Sequence, residues 1–356
     1  MHIKKIKLDN FRNYKNQTIE LENGINLFVG DNAQGKTNIL EGVFLCAIGK
    51  SFRAKKEKEL INMDENCASV RIEFEKYDRS GNIKIELNDK KSVFVNDIKQ
   101  NKLSDVLGNI NIVMFSPDDI EILKSGPAQR RKFLNILISQ LRPKYVYCLN
   151  MYLKALEQRN NYLRQIKQEN KPKEMLEIWD EKVAEYGKYI YDYRNNFIEK
   201  IKTKINNIHN EITDGKEEIK IKYITDCIDK EKYLQELKKS WDTDIQKGYT
   251  SKGIHRDDFY VFLNQKQVNI YGSQGQNRTV ILSLKLSELE IIYDEIGEYP
   301  VLLLDDFMSE LDSKRRENLL KSISNTQILI TCTDEFTVCD KMCKTYHVKN
   351  GNVNNK

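Results

Sequence analysis

The chain has 356 residues, of which 40% are hydrophobic, and its 58 basic and 53 acidic side chains leave a net charge of +5. This length allows two or three domains, and the small net charge means that an anionic partner must be bound by a local patch. No apolar run could span a bilayer, the N-terminus lacks the apolar core of a signal peptide, and the seven cysteines are scattered. The sequence therefore predicts a soluble, cytoplasmic protein with reduced thiols and no membrane partner.

A β-hairpin is predicted at the N-terminus. Residues 3–8 and 17–21 alternate like strands, and residues 11–14 interrupt them. After an Asn-Gly turn comes the apolar run Ile25-Asn26-Leu27-Phe28-Val29, which predicts a short buried strand. The hairpin is therefore expected to lie at the edge of a sheet and to lead into this strand.

The next stretch, Gly30-Asp31-Asn32-Ala33-Gln34-Gly35-Lys36-Thr37, fits the phosphate-binding pattern G-x-x-x-x-G-K-[ST]. Apolar residues at helical spacing follow in 38–45, so the order is strand, loop, helix. The glycines let backbone N–H groups curl around a phosphate, and the helix N-terminus adds positive potential. Lys36 is predicted to reach the outer phosphates, and the Thr37 hydroxyl is predicted to bind magnesium. The stretch indicates a nucleotide-binding site.

Three segments follow the loop helix. The basic segment 49–58 is equally consistent with an ordinary solvated loop and with a contact to an anionic partner. Residues 68–98 alternate apolar and polar side chains, which predicts an antiparallel sheet with one wet face. Residues 110–115 are expected to form a further apolar strand.

A helical insertion is predicted from about Gly126, because the apolar spacing changes to that of a helix and Pro127 suits a first turn. Two heptad-like seams are separated by the turn 170–172. Their members are Tyr145, Leu149, Tyr152, Leu156, Arg159, Leu163 and Ile166, then Leu176, Trp179, Val183, Tyr186, Ile190, Tyr193, Phe197, Ile201, Ile205 and Ile208. We expect an antiparallel helical hairpin whose aromatic side chains pack in the seam. A strand at 218–224 and a helix at 230–241 complete the insertion.

An apolar strand that ends in two carboxylates is predicted near the C-terminus, where Val301-Leu302-Leu303-Leu304 precedes Asp305 and Asp306. In a chain with a phosphate loop, Asp305 is predicted to hold magnesium, directly or through water. Asp306 is predicted to position or deprotonate the attacking water. The chain is then expected to turn at 309–312 into a helix at 314–322, and residues 328–330 are expected to form a last core strand.

A second anion-binding helix start is predicted at Ser273-Gln274-Gly275-Gln276, which precedes an amphipathic helix. A hydroxyl and backbone N–H groups at a helix N-terminus are suited to a terminal phosphate. Ser273 is therefore a candidate catalytic residue alongside Lys36.

Together these motifs resemble the ATPase heads of the ABC superfamily, and most closely the RecF family of DNA-repair ATPases. The segments that carry the resemblance are Phe11-Arg12-Asn13-Tyr14, residues 30–38 with Leu40-Glu41, Lys50-Ser51-Phe52-Arg53, Arg130-Arg131-Lys132-Phe133-Leu134, Gly253-Ile254-His255-Arg256-Asp257-Asp258, residues 272–278 and residues 304–312. They are distributed over the whole chain and are jointly very specific.

The resemblance implies an α/β fold: an ABC-type ATPase head, with a mixed sheet around the P-loop and an antiparallel β subdomain, and an inserted α-helical arm with a short antiparallel coiled-coil hairpin. Residues 1–124 would form the N-terminal part of the head, 125–249 the arm, and 250–356 the C-terminal part of the head.

ATP and Mg²⁺ are the cofactors that the resemblance implies. The residues expected to bind ATP are Gly30, Asp31, Asn32, Ala33, Gln34, Gly35, Lys36, Thr37, Asn38, Ser273, Gly275 and Gln276. Thr37 and Asp305 would bind the metal, and Lys36, Asp306 and Ser273 would act in hydrolysis. The Ser273 turn of one protomer would cap the nucleotide of another, so that ATP drives formation of a homodimer and turnover opens it.

DNA is the implied partner, bound at gaps and at junctions between single-stranded and duplex DNA. The family resemblance also implies joint action with RecR and RecO to place RecA on DNA coated by single-strand-binding protein. Candidate DNA contacts are Arg53, Lys55, Lys56, Arg130 and Arg131.

Two departures from the general ABC pattern affect turnover. Asp306 stands where most ABC ATPases have Glu, and Thr333 stands where a switch histidine usually lies. We therefore expect slow ATP hydrolysis that acts as a timer.

Three alternatives remain open from the sequence: an SMC-type chromosome-maintenance head, the nucleotide subunit of a membrane transporter, and a nucleotide-gated scaffold that hardly hydrolyses ATP. The insertion between Lys36 and Ser273 is too short for the long coiled coils of SMC proteins. The predicted hairpin and the missing switch histidine argue against a transporter subunit.

Overall fold

The computed structural model describes residues 1–307, 323, 325–333 and 343–355. The strands are β1 (His2–Phe11), β2 (Tyr14–Glu20), β3 (Ile25–Val29), β4 (Ala68–Lys76), β5 (Arg79–Leu87), β6 (Ser92–Val95), β7 (Ile98–Lys99), β8 (Ile112–Phe115), β9 (Ile219–Ile224), β10 (Asp258–Leu263), β11 (Lys266–Gln267), β12 (Val301–Asp305), β13 (Ile328–Cys332), β14 (Cys343–Lys349) and β15 (Asn352–Asn355). The helices are α1 (Lys36–Ile48), α2 (Glu121–Lys124), α3 (Pro127–Leu141), α4 (Pro143–Glu169), α5 (Leu176–Thr213), α6 (Lys230–Lys239), α7 (Trp241–Lys247), α8 (Val268–Tyr271) and α9 (Gln274–Ile296).

Contacts divide the chain into two compact units, residues 1–119 with 285–356 and residues 120–284. By their contacts, residues 250–284 belong to the second unit, although the sequence analysis assigns them to the head. The three-part domain division itself stays a prediction.

The first unit contains the sheet that carries the phosphate loop. Within the described residues its strand order is β15-β14-β3-β13-β12-β8. The strands from β14 to β8 are parallel, and β15 pairs antiparallel with β14. All residues of β3, β12 and β13 are buried, as expected for parallel strands covered on both faces. Strands β3, β13 and β12 are neighbours and run parallel, so their carboxyl ends lie at the same edge of the sheet. The phosphate loop follows β3 and the two aspartates stand at the end of β12, so both lie at this edge.

An antiparallel sheet of order β2-β1-β4-β5-β6-β7 completes the strands described in this unit. Residues of β4 alternate between buried and half-buried, which confirms the predicted wet face. Helix α1 packs on the buried face at Gly42, where an added Cβ would lie 3.0 Å from Leu8 and 3.3 Å from Val70. This close approach fixes α1, and with it the phosphate loop, against the antiparallel sheet.

The second unit is built on an antiparallel hairpin of α4 and α5, as predicted. Facing residues progress in opposite directions along the two helices: Tyr145 with Arg194, Tyr152 with Gly187, and Arg159 with Asp180. Tyr145 and Tyr152 are fully buried. The aromatic residues at these two positions therefore pack in the seam. Five seam positions differ from the prediction, one on α4 and four on α5. Half-buried residues stand at the predicted positions Leu149, Trp179, Tyr186, Tyr193 and Ile208, and the buried residues are their neighbours Cys148, Asp180, Gly187, Arg194 and His209.

A buried ionic network lies beside this seam. Arg159 is fully buried and donates to Asp180 (2.6 Å), to Asp244 of α7 (2.8 Å) and to Thr250 (2.8 Å). Trp241 donates to the second oxygen of Asp180 at 2.7 Å. A charged side chain in an apolar seam is tolerated here because two buried carboxylates accept its hydrogen bonds.

The segment Gly253-Ile254-His255-Arg256-Asp257-Asp258 is an internal part of the same unit. Arg194 of α5 donates to the carbonyl of Ile254 at 2.8 Å and to Asp257 at 3.3 Å. Tyr152 of α4 lies 2.7 Å from Nδ1 of His255. These bonds tie the start of β10 to the helical hairpin.

The predicted strands and helices of the remaining segments can be compared with those of the structure. The predicted strand at 218–224 is β9, and the predicted helix at 230–241 is α6, which ends at Lys239; a separate helix, α7, begins at Trp241. Strand β14 is not among the predicted strands, although it pairs with β3. The turn predicted at 309–312 and the helix predicted at 314–322 lie outside the described residues. In the described part of the chain, no helix combines the length and the apolar character needed to cross a bilayer.

Candidate nucleotide-binding site

The phosphate loop joins β3 to α1, and its two glycines have no room for a side chain. Gly35 has a φ of 116°, and an added Cβ would lie 2.6 Å from the Asn13 amide and 2.9 Å from the Tyr14 hydroxyl. A Cβ on Gly30 would overlap the carbonyl of Val348 in β14. The sequence pattern is therefore explained by close packing of the loop against its neighbours.

Lys36 lies inside the loop and is 4% exposed. Its Nζ donates to the carbonyls of Gly30 (2.6 Å) and Asp31 (3.0 Å). Among the described residues, only these backbone oxygens accept hydrogen bonds from the ammonium group, and they hold it inside the loop. A phosphate is a stronger acceptor for an ammonium group than a carbonyl is.

The outside of the loop is braced by residues that the sequence analysis did not assign to the site. Asn13 donates to the carbonyl of Gln34 at 2.8 Å, and the Tyr14 hydroxyl donates to the carbonyl of Gly35 at 3.0 Å. The backbone N–H of Asn350 donates to the Gln34 side chain at 2.7 Å. Asn13 and Tyr14 belong to a segment that carries the family resemblance, but their contacts join residues far apart in the chain, so spacing alone does not reveal them.

Thr37 and Asp305 meet at the edge of the parallel sheet. The Thr37 hydroxyl donates to Oδ1 of Asp305 at 2.8 Å, and Thr331 of β13 donates to the same oxygen at 2.8 Å. Burial raises the pKa of Asp305, and the two hydroxyl donors offset this only in part. The two predicted metal-binding side chains are therefore brought together.

Asp306 follows directly and turns away from the strand. Its φ of 46° lies in the left-handed region, and its backbone N–H donates to the Thr331 hydroxyl at 2.9 Å. Thr331 therefore positions both aspartates. Thr331 directly follows the strand predicted at 328–330 and has no role among the sequence-based predictions.

These residues fit the chemistry of ATP and Mg²⁺. No group of three His, Cys, Asp or Glu side chains that could hold a metal occurs among the described residues. Thr37 and Asp305 supply two oxygen donors, which suits Mg²⁺, an ion that takes its remaining ligands from water and phosphate. A cation at this point would also favour the ionised form of Asp305.

Arg53, a candidate DNA contact, belongs to a cluster around Glu41 of α1. Glu41 is fully buried and accepts from Arg12 (2.8 and 2.9 Å), Arg53 (2.8 and 3.1 Å) and Ser51 (2.5 Å). Burial by itself raises the pKa of Glu41, but the hydrogen bonds from Arg12, Arg53 and Ser51 outweigh it and hold the pKa below its usual value. Arg53 also donates to Asn38. Its side chain is 35% exposed.

The other candidate DNA contacts differ in exposure. Lys55 and Lys56 are exposed. Arg130 is 5% exposed, and its guanidinium donates to Asp258 at 2.5 and 3.0 Å. Arg131 is half-buried and donates to the carbonyl of Asp257 at 2.7 Å. DNA contact by these residues stays a prediction, and the burial of Arg130 weighs against its part in it.

Ser273 caps the N-terminus of α9 as the helix-start pattern predicts. Its hydroxyl accepts from the N–H of Gln276 at 3.2 Å, and the Gln276 side chain accepts from the N–H of Ser273 at 2.9 Å. This reciprocal capping box leaves the hydroxyl proton of Ser273 able to donate to another group. A Cβ on Gly275 would have no described atom within 4 Å, so the backbone there is open to a ligand or a partner.

Comparisons with known proteins agree with these motifs. The family model described as RecF/RecN/SMC N terminal domain matches residues 2–354. A protein of Clostridium novyi (strain NT), named DNA replication and repair protein RecF, is 46% identical over 363 residues, covering 99% of this chain and 100% of its own length. A protein of the same name from Alkaliphilus oremlandii (strain OhILAs) is 43% identical, covering 96% of this chain and 95% of its own.

Solved structures give the same result. The chain matches a structure of the recombination mediator protein RecF with ATP at a TM-score of 0.94 and 40% identity, covering 99% of this chain and 97% of the other. An Smc head domain from Pyrococcus furiosus matches at a TM-score of 0.57 and 17% identity, which is a likeness of fold alone. These matches confirm the predicted fold class, an ABC-type ATPase head with an inserted helical arm. The chain belongs to the RecF family.

Proposed function

We propose that this chain is an ATP-dependent DNA-binding protein of recombinational repair. ATP drives it to dimerise, and the dimer binds DNA at gaps and at junctions of single-stranded and duplex DNA. There it helps RecR and RecO to load RecA on DNA covered by single-strand-binding protein. The proposal is supported by the names of its relatives, which are DNA replication and repair proteins, and by a related structure described as belonging to the RecFOR pathway.

The observation that carries the nucleotide part of the proposal is the contact between Thr37 and Asp305. It joins the start of the phosphate-loop helix to the end of the acid strand, so that one site holds a phosphate-binding loop and two oxygen donors for a metal. ATP would bind through the backbone N–H groups of residues 30–38 and through Lys36. Mg²⁺ would be held by Thr37 and Asp305 and, when bound, would neutralise phosphate charge.

Asp306 is the candidate group for positioning the attacking water. Asp306 directly follows the residue proposed to bind metal, and its backbone N–H donates to the Thr331 hydroxyl, which holds the backbone in place. Aspartate has a shorter side chain than the glutamate of most ABC ATPases. Hydrolysis is therefore proposed to be slow and to reset the dimer after DNA binding.

The Ser273 turn is the second half of the proposed site, and it acts on the nucleotide of another protomer. Its exposed hydroxyl and the open backbone at Gly275 are suited to a terminal phosphate approaching from outside the chain. A site completed by a second molecule makes dimer formation depend on ATP.

A DNA-binding titration tests the proposal as a whole. Fluorescently labelled duplex, single-stranded and gapped DNA are titrated with the protein at one stated salt concentration, with and without ATP and magnesium. We expect ATP to strengthen binding and gapped DNA to bind most tightly. The Lys36→Ala variant is the matched control, because it should lose the effect of ATP. Equal binding to all three DNA forms, unaffected by ATP, would contradict the proposed function.

A further inference from the structure

The capping residue Gln276 is itself held by a residue of the arm. Its side-chain Nε2 donates to Oε1 of Glu217 at 2.7 Å, while its Oε1 accepts from the N–H of Ser273. An amide can be placed in two orientations that exchange its oxygen and nitrogen. With the carboxylate of Glu217 accepting from the nitrogen, only one orientation remains favourable, and it directs the oxygen at Ser273.

The second oxygen of Glu217 is also used. It lies 3.3 Å from Nε2 of His209, a fully buried residue of α5, and Nδ1 of His209 lies 2.9 Å from the Ser283 hydroxyl. Ser283 belongs to α9, two turns after Gln276. The contacts therefore form a closed path that leaves α9 at Gln276, passes through Glu217 and His209, and returns to α9 at Ser283.

The backbone around Glu217 is fixed, so that its carboxylate has a defined place. The N–H of Glu218 donates to the Asn264 side chain at 2.8 Å, and the N–H of Asn264 donates to the carbonyl of Glu218 at 2.9 Å. The N–H of Ile219 donates to Asn206 of α5 at 3.2 Å. Residue 217 is thus held between the end of α5 and the turn after β10.

We propose that Glu217 and His209 are positioning residues for the Ser273 turn, which makes the arm part of the ATP-dependent dimer site. Glu217 orients the Gln276 amide, the amide holds the N–H of Ser273, and the hydroxyl of Ser273 keeps its proton for the phosphate of the partner's nucleotide. His209 supports the carboxylate from inside the arm. This inference rests on the proposed function, because it assumes that Ser273 acts on nucleotide bound by a second protomer.

Three substitutions separate a positioning role from a general structural one. Glu217→Ala removes both hydrogen bonds. Glu217→Gln keeps both, since the introduced amide can accept from Gln276 and donate to neutral His209, whose Nδ1–H then donates to Ser283. Glu218→Ala is the matched control, because only the backbone of Glu218 contacts Asn264 and its exposed side chain pairs with Lys220.

The experiment measures two quantities for each variant: affinity of the monomer for a fluorescent ATP analogue, and ATP-dependent dimerisation by light scattering over a range of protein concentrations. Glu217→Ala should bind the analogue as the parent does and raise the dimer dissociation constant about tenfold, as loss of a hydrogen bond that orients Gln276 predicts. Glu217→Gln and Glu218→Ala should dimerise within about twofold of the parent. Thermal melting confirms that each variant is folded.

The outcomes distinguish this inference from the proposed function. If Ser273→Arg blocks ATP-dependent dimerisation but Glu217→Ala dimerises like the parent, the positioning role is overturned and the shared site stands. If Glu217→Gln is as defective as Glu217→Ala, hydrogen bonding through this position is not the cause, and the inference is also overturned. If Ser273→Arg dimerises normally with ATP, the proposed function itself fails.

Discussion

The hydroxyl of Thr37 donates to the carboxylate of Asp305 across 268 residues of sequence. Thr37 lies in the first turn of α1, and Asp305 is the last residue of β12, two strands away from β3 in the sheet. The contact exists because parallel strands end at a common edge. It places the residues proposed to bind metal beside the phosphate loop and its Lys36. The first two predictions concern this arrangement.

Lys36→Ala should weaken ATP binding at least about tenfold, because a charged donor to the phosphates is lost. The fold should persist, since the Nζ of Lys36 donates to loop carbonyls that water can satisfy in its absence. Equilibrium titration with a fluorescent ATP analogue measures the effect, and thermal melting serves as the control. Unchanged affinity would refute the assignment of the phosphate loop.

Asp306→Asn should keep ATP affinity, lower the hydrolysis rate by about two orders of magnitude and prolong the ATP-bound dimer. Asn is the suitable replacement because it tolerates the φ of 46° at this position, whereas Ala would add backbone strain. Steady-state phosphate release and light scattering measure the two effects. Equal hydrolysis rates in the variant and the parent would remove Asp306 from this role.

DNA binding is expected to involve the exposed residues of the basic segment 49–58. Lys55→Ala combined with Lys56→Ala should weaken duplex binding for all sequences alike and flatten the slope of log affinity against log salt by up to about two units. Arg53 is left unchanged, because its loss would also disturb the buried Glu41. The control variant carries alanine at Lys99 and Lys102, two exposed lysines of the first unit. A slope identical to that of the parent would mean that the DNA path lies elsewhere.

The arm provides a prediction about stability. Arg159→Met should destabilise the arm by about 3–5 kcal/mol, because it leaves Asp180 and Asp244 buried without their cation. The chain contains two tryptophans, Trp179 and Trp241, and both lie in this unit. Urea unfolding followed by tryptophan fluorescence therefore reports on the arm.

Glu157→Ala is the control for this measurement, since it changes an exposed residue of the same helix. Its unfolding curve should match that of the parent. A loss of less than about 1 kcal/mol in Arg159→Met would show that the buried network is not needed for stability.

Local patterns account for the features that the sequence analysis predicted. The loop from Gly30 to Thr37 is marked by a pattern of consecutive residues between a strand and a helix, and the α4–α5 hairpin follows from heptad spacing and a short turn. Contacts between distant residues account for the rest. Thr331 positions the aspartates from another strand, and Arg130 is buried because Asp258, 128 residues away, accepts its hydrogen bonds. A basic residue in a charged stretch gives no local sign of such a partner.

The trans arrangement of the proposed site gives the last prediction. Ser273→Arg leaves the phosphate loop untouched, so ATP binding to the monomer should stay close to that of the parent. The added bulk should block ATP-dependent dimerisation, because Ser273 is exposed at the start of α9 beside the open backbone of Gly275. Light scattering with and without ATP measures the effect.

Mixing Ser273→Arg with Lys36→Ala tests whether two chains share one site. A mixed dimer retains one intact composite site if the Ser273 turn of the Lys36→Ala protomer caps the nucleotide held by the Ser273→Arg protomer. It retains none if each site lies within one chain. We expect the mixture to recover part of the ATPase activity that each variant lacks alone, up to about half of the parental rate if each site turns over independently. A mixture as inactive as its two components, although size analysis finds mixed dimers, would contradict a site shared between protomers.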